Sequence, residues 1–260
     1  MTSRFRASSA GNDDSVVTPP DPIVAGTPDP REVAQLADAR AHVLERMARA
    51  TERAGRDPRS VTLVAVSKTV EVARLRAAIA AGLTLLGENR VQEAEAKVGA
   101  VPDATWHLVG PLQSNKARRA LDAFATIESV HSVDLARRLD RLVGSTVGGP
   151  PYPVMLQVNV DRDPAKAGLM PEELERAVAD LDATDHLDYR GLMTVGRLVD
   201  EPEAARPTFV ALRALSEKLS ASWPRLGPGL SMGMTDDFEV AIEEGATIVR
   251  IGRAIFGHRH

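Results

Sequence analysis

A lysine closes the most apolar run of the chain. In "VTLVAVSKTV" (61–70) a strand-like segment delivers Lys68 at its C-terminal end. An ammonium group is strongly hydrated and rarely sits buried without a partner. At the mouth of an apolar strand it loses hydration, its charged form is disfavoured, and its pKa is expected to fall. A neutral amine is the form that attacks an aldehyde carbon to give a Schiff base. An ordinary ion pair would also place a lysine there, so Lys68 alone leaves both readings open.

A second group of residues points to an anion. In "LSMGMTDDFEVAIEEGATIVRIGRAIFG" (230–257), Ser231, Gly233 and Thr235 offer hydroxyls and accessible amides just ahead of a helical pattern. Gly252 and Arg253 open a second loop that leads into a last helical turn. Amides at such loop-to-helix junctions bind phosphate. The plainer alternative makes Thr235 a helix N-cap and Gly252 a turn residue. Further polar residues stand near strand ends: Asn89 in "GENR", His107 in "TWHLV", Asn159, Thr194 beside Met193, and Arg250. A phosphate site facing a lysine suits an aldehyde that carries a phosphate, and pyridoxal phosphate is such a molecule.

The elements that position these groups alternate regularly. Strands are predicted at 61–66 ("VTLVAV"), 83–86 ("LTLL"), 105–109, 125–130 ("ATIESV"), 153–160 ("PVMLQVNV"), 187–195 ("LDYRGLMTV"), 229–232 ("GLSM") and 247–251 ("TIVRI"). Between them apolar residues recur at helical spacing, as Leu174, Ala177, Val178 and Leu181 do behind Pro171. A leading helix over 31–54 carries Val33, Leu36, Val43, Leu44 and Met47 on one face. Near-continuous apolar strands joined by helices imply parallel pairing with both faces covered. Eight such units in about 230 residues match a single (β/α)8 TIM barrel. A doubly wound sheet would carry a glycine-rich fingerprint after its first strand, and "SKTVEVARL" has none. In a barrel the C-terminal strand ends share one mouth, which collects the polar residues above. Residues 1–30, rich in Ser, Pro, Gly and Asp without any period, read as a disordered extension, which leaves 31–260 for the barrel.

Composition removes several function classes. The net charge of −4 gives no general attraction to nucleic acid or anionic membrane, and aromatics at 3% are too few for base-stacking platforms. The absence of cysteine excludes disulfides, thiolate metal sites and cysteine nucleophiles. No apolar run approaches a membrane span and no signal-peptide core opens the chain, so a cytoplasmic protein is expected.

The segments "VAVSKTV", "GENRVQEAEAK", "WHLVGPLQSNK", "GLMTVG" and "SMGMTDDFEVAIEEGATIVRIGRAIFG", in this order, resemble the YggS/PROSC family of pyridoxal phosphate homeostasis proteins over about residues 35–257. That resemblance implies a barrel like the N-terminal domain of alanine racemase and pyridoxal 5'-phosphate as cofactor. It implies that Lys68 holds the cofactor as an internal aldimine, with Asn89 beside the pyridine ring and Arg250 at its nitrogen. Ser231, Gly252 and Arg253, with amides such as that of Gly233, would hold the phosphate. His107, Asn159, Met193 and Thr235 would line the pocket, although core filling accounts equally for Met193. Arg253 departs from the family, many of whose members carry Thr or Ser there. Its guanidinium would either bond the phosphate or face solvent.

Two functions compete on this scaffold. An amino-acid racemase of the alanine racemase type needs a second base, which in those enzymes is a tyrosine from a C-terminal β-domain of the partner subunit. Here only Tyr152 and Tyr189 are available, both expected near the barrel bottom, and no further domain follows residue 260 of the sequence. A permanent cation at the ring nitrogen would also weaken the cofactor as an electron sink. The sequence therefore favours a non-enzymatic carrier that stores, buffers or delivers pyridoxal phosphate, with apo-enzymes that use the cofactor as recipients. The family leans to monomers, and no spare apolar stripe suggests otherwise.

Overall fold

The computed structural model describes residues 27–146 and 149–257; the extension expected at residues 1–30 lies almost entirely outside them. Eight parallel strands close into one barrel in sequence order, β1-β2-β3-β4-β5-β6-β7-β8. The strands are β1 (Thr62–Val66), β2 (Leu85–Glu88), β3 (Thr105–Leu108), β4 (Thr126–Val130), β5 (Tyr152–Gln157), β6 (Leu187–Met193), β7 (Gly229–Ser231) and β8 (Ile248–Ile251). Closure is made by β8 on β1, with Leu63 opposite Val249 and Val64 opposite Arg250. The barrel expectation therefore holds. Strand boundaries move by one to three residues: β2 begins two residues later than its apolar letters suggest, β6 stops two residues early at Met193, and β5 stops at Gln157, so Asn159 lies beyond the strand.

The helices cover the outer faces. They are α1 (Pro30–Arg53), α2 (Val72–Ala80), α3 (Val91–Val98), α4 (Ala117–Ala123), α5 (Val133–Gly144), α6 (Leu174–Leu181), α7 (Arg206–Ser222), α8 (Phe238–Glu243) and α9 (Arg253–Phe256). Helix α1 starts where it should: the Asp29 carboxylate accepts from the Arg31 amide at 2.9 Å, and Pro30 fills the first turn. Its buried face carries Leu36, Val43, Met47, Ala50 and Thr51. Helix α1 packs on α2, α8 and α9. Arg46 clamps Glu239 of α8 through two bonds of 2.7 and 2.8 Å, and Arg53 reaches Glu243 at 2.8 Å. This matters for function because α8 carries the loop after β7 at its N-terminal end.

One irregularity in the sheet has a clear origin. In β6 the register against β5 slips between Tyr189 and Gly191, so exposed Arg190 is bulged out. Gly191 takes φ 145°, and a Cβ there would come within 1.9 Å of the Gly229 carbonyl oxygen on β7. Only glycine permits that approach. None of the helices among the described residues is long and apolar enough to cross a membrane.

Candidate functional site

The polar residues singled out in the sequence gather at the C-terminal mouth of the barrel and in its upper interior. Lys68 follows β1 directly in a tight turn, half-buried, between buried Ser67 and exposed Thr69. The turn is closed by the Val70 amide donating to the Ser67 carbonyl at 3.0 Å. Thr69 has φ 65°, a left-handed conformation that a β-branched residue rarely adopts. Such a residue persists only where its surroundings fix it.

What fixes the turn is a buried charged group behind it. The Ser67 hydroxyl donates to Glu88 Oε1 at 2.8 Å, Lys97 Nζ donates to the same oxygen at 2.6 Å, and Lys97 Nζ also donates to the Ser67 carbonyl at 3.0 Å. Burial pushes the Glu88 carboxyl above its ordinary range, against the pull of Lys97 and Ser67. Thr69→Asn should relieve the strain, since asparagine tolerates the left-handed region, and should stabilise the protein by about 1 kcal/mol. A higher urea midpoint at unchanged slope would show this, and a lower midpoint would refute it.

Asn89 follows β2, half-buried. It lines a cleft of about 410 Å³ together with Arg90, Val91, Gln92, Pro111, Gln113 and Lys116. Among these residues the cations are Arg90 and Lys116, and no carboxylate faces them in the lining.

The loops after β7 and β8 are built for close approach. Gly233 has φ 91°, and a Cβ there would meet the Ala241 Cβ at 2.5 Å and the Phe238 Cα at 3.0 Å. A Cβ on Gly252 would stand 3.2 Å from the Val66 carbonyl oxygen, which places that loop against the end of β1. Thr235 is half-buried in the turn before α8, but the residue at the N-cap position is Asp237. The Asp237 carboxylate accepts from the Met234 amide at 2.6 Å, folding the turn back on itself. Thr235 as an N-cap is thereby corrected: α8 starts at Phe238, and Asp237 takes the capping position. Arg253 is exposed and paired with Asp236, so its guanidinium ties the two loops together across the mouth.

Inside the barrel, side chains from four strands form one chain of bonds. Buried Arg250 of β8 donates from one guanidinium nitrogen to the Ser231 hydroxyl of β7 and from the other to the Thr194 carbonyl at 2.6 Å. The Ser231 hydroxyl donates to Glu128 Oε2 of β4 at 2.5 Å, and Glu128 Oε1 meets His107 Nδ1 of β3 at 2.6 Å. Burial alone would push the Glu128 carboxyl up. The bond and charge of His107, the charge of Arg250 and the Ser231 hydroxyl together hold it below its ordinary range. Burial lowers the Arg250 pKa from its ordinary value, a fall that Glu128 and Asp237 oppose. His107, Ser231 and Arg250 are thus brought together. Glu128 was missed, and its signal was the lone charged residue of the strand "ATIESV".

Asn159 and Met193 stand further back. The buried Asn159 amide donates to the carbonyls of Asp163 and Lys166 at 2.8 and 3.2 Å and accepts from the Asp163 amide at 3.0 Å, so it shapes the loop after β5. Met193 ends β6 fully buried in the barrel. The tyrosines lie at the opposite, N-terminal end of their strands. Tyr152 opens β5 and donates to the Phe124 carbonyl at 2.5 Å, while buried Tyr189 shares a hydrogen bond of 2.6 Å with Thr184 and has its pKa pushed up to about 12 by burial.

Residues 37–260 match the family model for the alanine racemase N-terminal domain. The chain is 42% identical over 226 residues to the pyridoxal phosphate homeostasis protein of Pseudomonas aeruginosa, covering 86% of this chain and 96% of that one. It belongs to the pyridoxal phosphate homeostasis proteins. Among solved structures of similar chains, an unknown protein from Bifidobacterium adolescentis is 37% identical and superposes with a TM-score of 0.81, covering 88% of this chain and 98% of that one. PipY of Synechococcus elongatus, solved with pyridoxal phosphate bound, is 41% identical with a TM-score of 0.72, covering 83% of this chain and all of PipY (100%). In this chain Lys68, the glycine loops at Gly233 and Gly252 and the buried Arg250 stand at one end of the barrel.

Proposed function

We propose that this protein binds pyridoxal 5'-phosphate covalently and reversibly through Lys68 and serves as a store or donor of the cofactor for apo-enzymes, without substantial catalytic activity of its own. The observation that carries this reading is the closure of β8 on β1, which sets the Lys68 turn beside the Gly252–Arg253 loop on one edge of the mouth. The donor set fits the group: an amine at Lys68, an amide at Asn89, a buried guanidinium at Arg250, a loop at Gly233 with no room for a side chain and a tight one at Gly252. PipY, similar along most of its length, was solved holding this cofactor.

When bound, the cofactor supplies an aldehyde carbon that an amine captures as a carbon–nitrogen double bond with release of water, and water reverses it. Lys68 is the amine. Asn89 would orient the ring from the end of β2, Arg250 would hold a positive charge towards the ring nitrogen, and the loops of Ser231, Gly233, Gly252 and Arg253 would hold the phosphate. His107 and Thr235 would shape the walls, and Asn159 and Met193 would support them from behind. A guanidinium there would disfavour protonation of the ring nitrogen, which favours holding the cofactor over using it. Against the racemase alternative, neither tyrosine is placed as a second base: the Tyr152 hydroxyl is bonded to the Phe124 carbonyl and the Tyr189 hydroxyl to Thr184, towards the far end of the barrel.

Borohydride reduction of the loaded protein followed by peptide mapping tests the assignment. The label is expected on the peptide containing Lys68, and a label elsewhere overturns it. Incubation of the loaded protein with single amino-acid enantiomers should leave optical rotation unchanged; enzyme-like turnover would restore the racemase.

A further inference from the structure

The interior of a (β/α)8 barrel is ordinarily filled by branched apolar side chains. Here a fully buried carboxylate, Glu128, sits in it, linked on one side to His107 and on the other through Ser231 to Arg250. Taking such charges out of water costs several kcal/mol per ion, and apolar residues of similar volume would commonly serve stability as well or better. A chain that crosses from β3 and β4 to β7 and β8 and ends on the residue assigned to the ring nitrogen points to a role in the site.

We propose that Glu128 is a positioning residue: through the Ser231 hydroxyl it holds the Arg250 guanidinium in place, and with His107 behind it it supplies the counter-charge that sets how readily the Lys68–cofactor link holds a proton. The inference rests on the pyridoxal phosphate reading above. The groups facing this chain come from every strand that contributes to it. His107 of β3 and Arg250 of β8 face Glu128, and Asp237, from the turn before α8, acts on Arg250 from the other side. Arg250 is further fixed by the Thr194 carbonyl. With Glu128 ionised, its negative charge offsets the Arg250 cation. Removing that charge leaves the site more positive, and a protonated, cationic link to Lys68 becomes less favourable.

The test is the pH titration of the visible absorption band of the full chain loaded with pyridoxal phosphate. Glu128→Gln should still load and should titrate at a midpoint lower by about one unit, as expected for losing a nearby opposite charge. Glu128→Asp, which keeps the charge, should restore most of the midpoint. A Gln variant that loads but titrates like wild type would reduce Glu128 to a structural part and overturn the proposal. Because the Gln variant could fail to fold, the same coupling is read in wild type by NMR titration of His107, assigned by the signal that His107→Asn removes. Linkage requires its midpoint to move on loading with pyridoxal phosphate and to stay put with inorganic phosphate. No movement overturns the proposal. A wild-type protein that never develops the band overturns the pyridoxal phosphate reading itself, and is distinguished by failing before any variant is compared.

Discussion

Lys68→Ala is expected to leave the barrel folded and to abolish retention of pyridoxal phosphate through gel filtration, with complete loss of the visible band. The fold survives because Lys68 is half-buried in a turn whose geometry is held by other groups: Ser67 on Glu88, Lys97 on the Ser67 carbonyl, and the Val70 amide on Ser67. What disappears is the only step that makes release slow, the covalent capture of the aldehyde. The loops at Gly233 and Gly252 remain, so a weak, rapidly exchanging affinity for the phosphate persists, lower than wild type by at least tenfold, or about 1.4 kcal/mol. Circular dichroism checks the fold, and absorbance before and after gel filtration checks retention. A variant that stays coloured would remove Lys68 from the centre of the site.

The parts of this site that are legible in the sequence share a property: each depends on residues close together in the chain. The apolar run before Lys68, the glycines of 230–257 and the strand–helix rhythm all lie within short windows, and their physics is local. What escaped depends on closure of the barrel. Glu128 and Ser231 are 103 positions apart and meet because β4 and β7 face one interior. Lys97 looks like one more polar residue on α3, yet it is buried on Glu88, nine positions back, because α3 lies over β2. Burial of Asn159 is a similar case: its side chain is used within the loop after β5, a partnership that strand-end position alone does not reveal. Arg253, whose departure from the family left two readings, is exposed to solvent and pairs there with exposed Asp236.

The buried pair behind the Lys68 turn gives the largest expected effect on stability. Glu88 is fully buried and the Lys97 side chain is 10% exposed, with the two charges 2.6 Å apart. Lys97→Met keeps the apolar stem and removes the charge, leaving a buried carboxylate with only the Ser67 hydroxyl as donor. Breaking a buried pair from one side costs about 3–5 kcal/mol, which would appear as a large drop in urea midpoint at neutral pH. The pH dependence has a definite sign. The folded Glu88 pKa already lies above its ordinary 4.5. In that window the folded state binds the proton more readily than the unfolded chain, so this group's contribution to stability falls as pH rises from 4.5 through the folded value. Losing Lys97 raises the folded pKa further and widens the window. The deficit of Lys97→Met is therefore greatest at neutral pH and shrinks on acidification towards 4.5, opposite in direction to Glu128, whose lowered pKa makes its contribution disappear as pH falls. Adding Glu88→Gln to Lys97→Met removes the stranded charge and should recover much of the loss, with the pH dependence flattened. A Lys97→Met variant losing less than about 1 kcal/mol, independent of pH, would show that the pair behaves as an exposed one and does not hold the lysine turn.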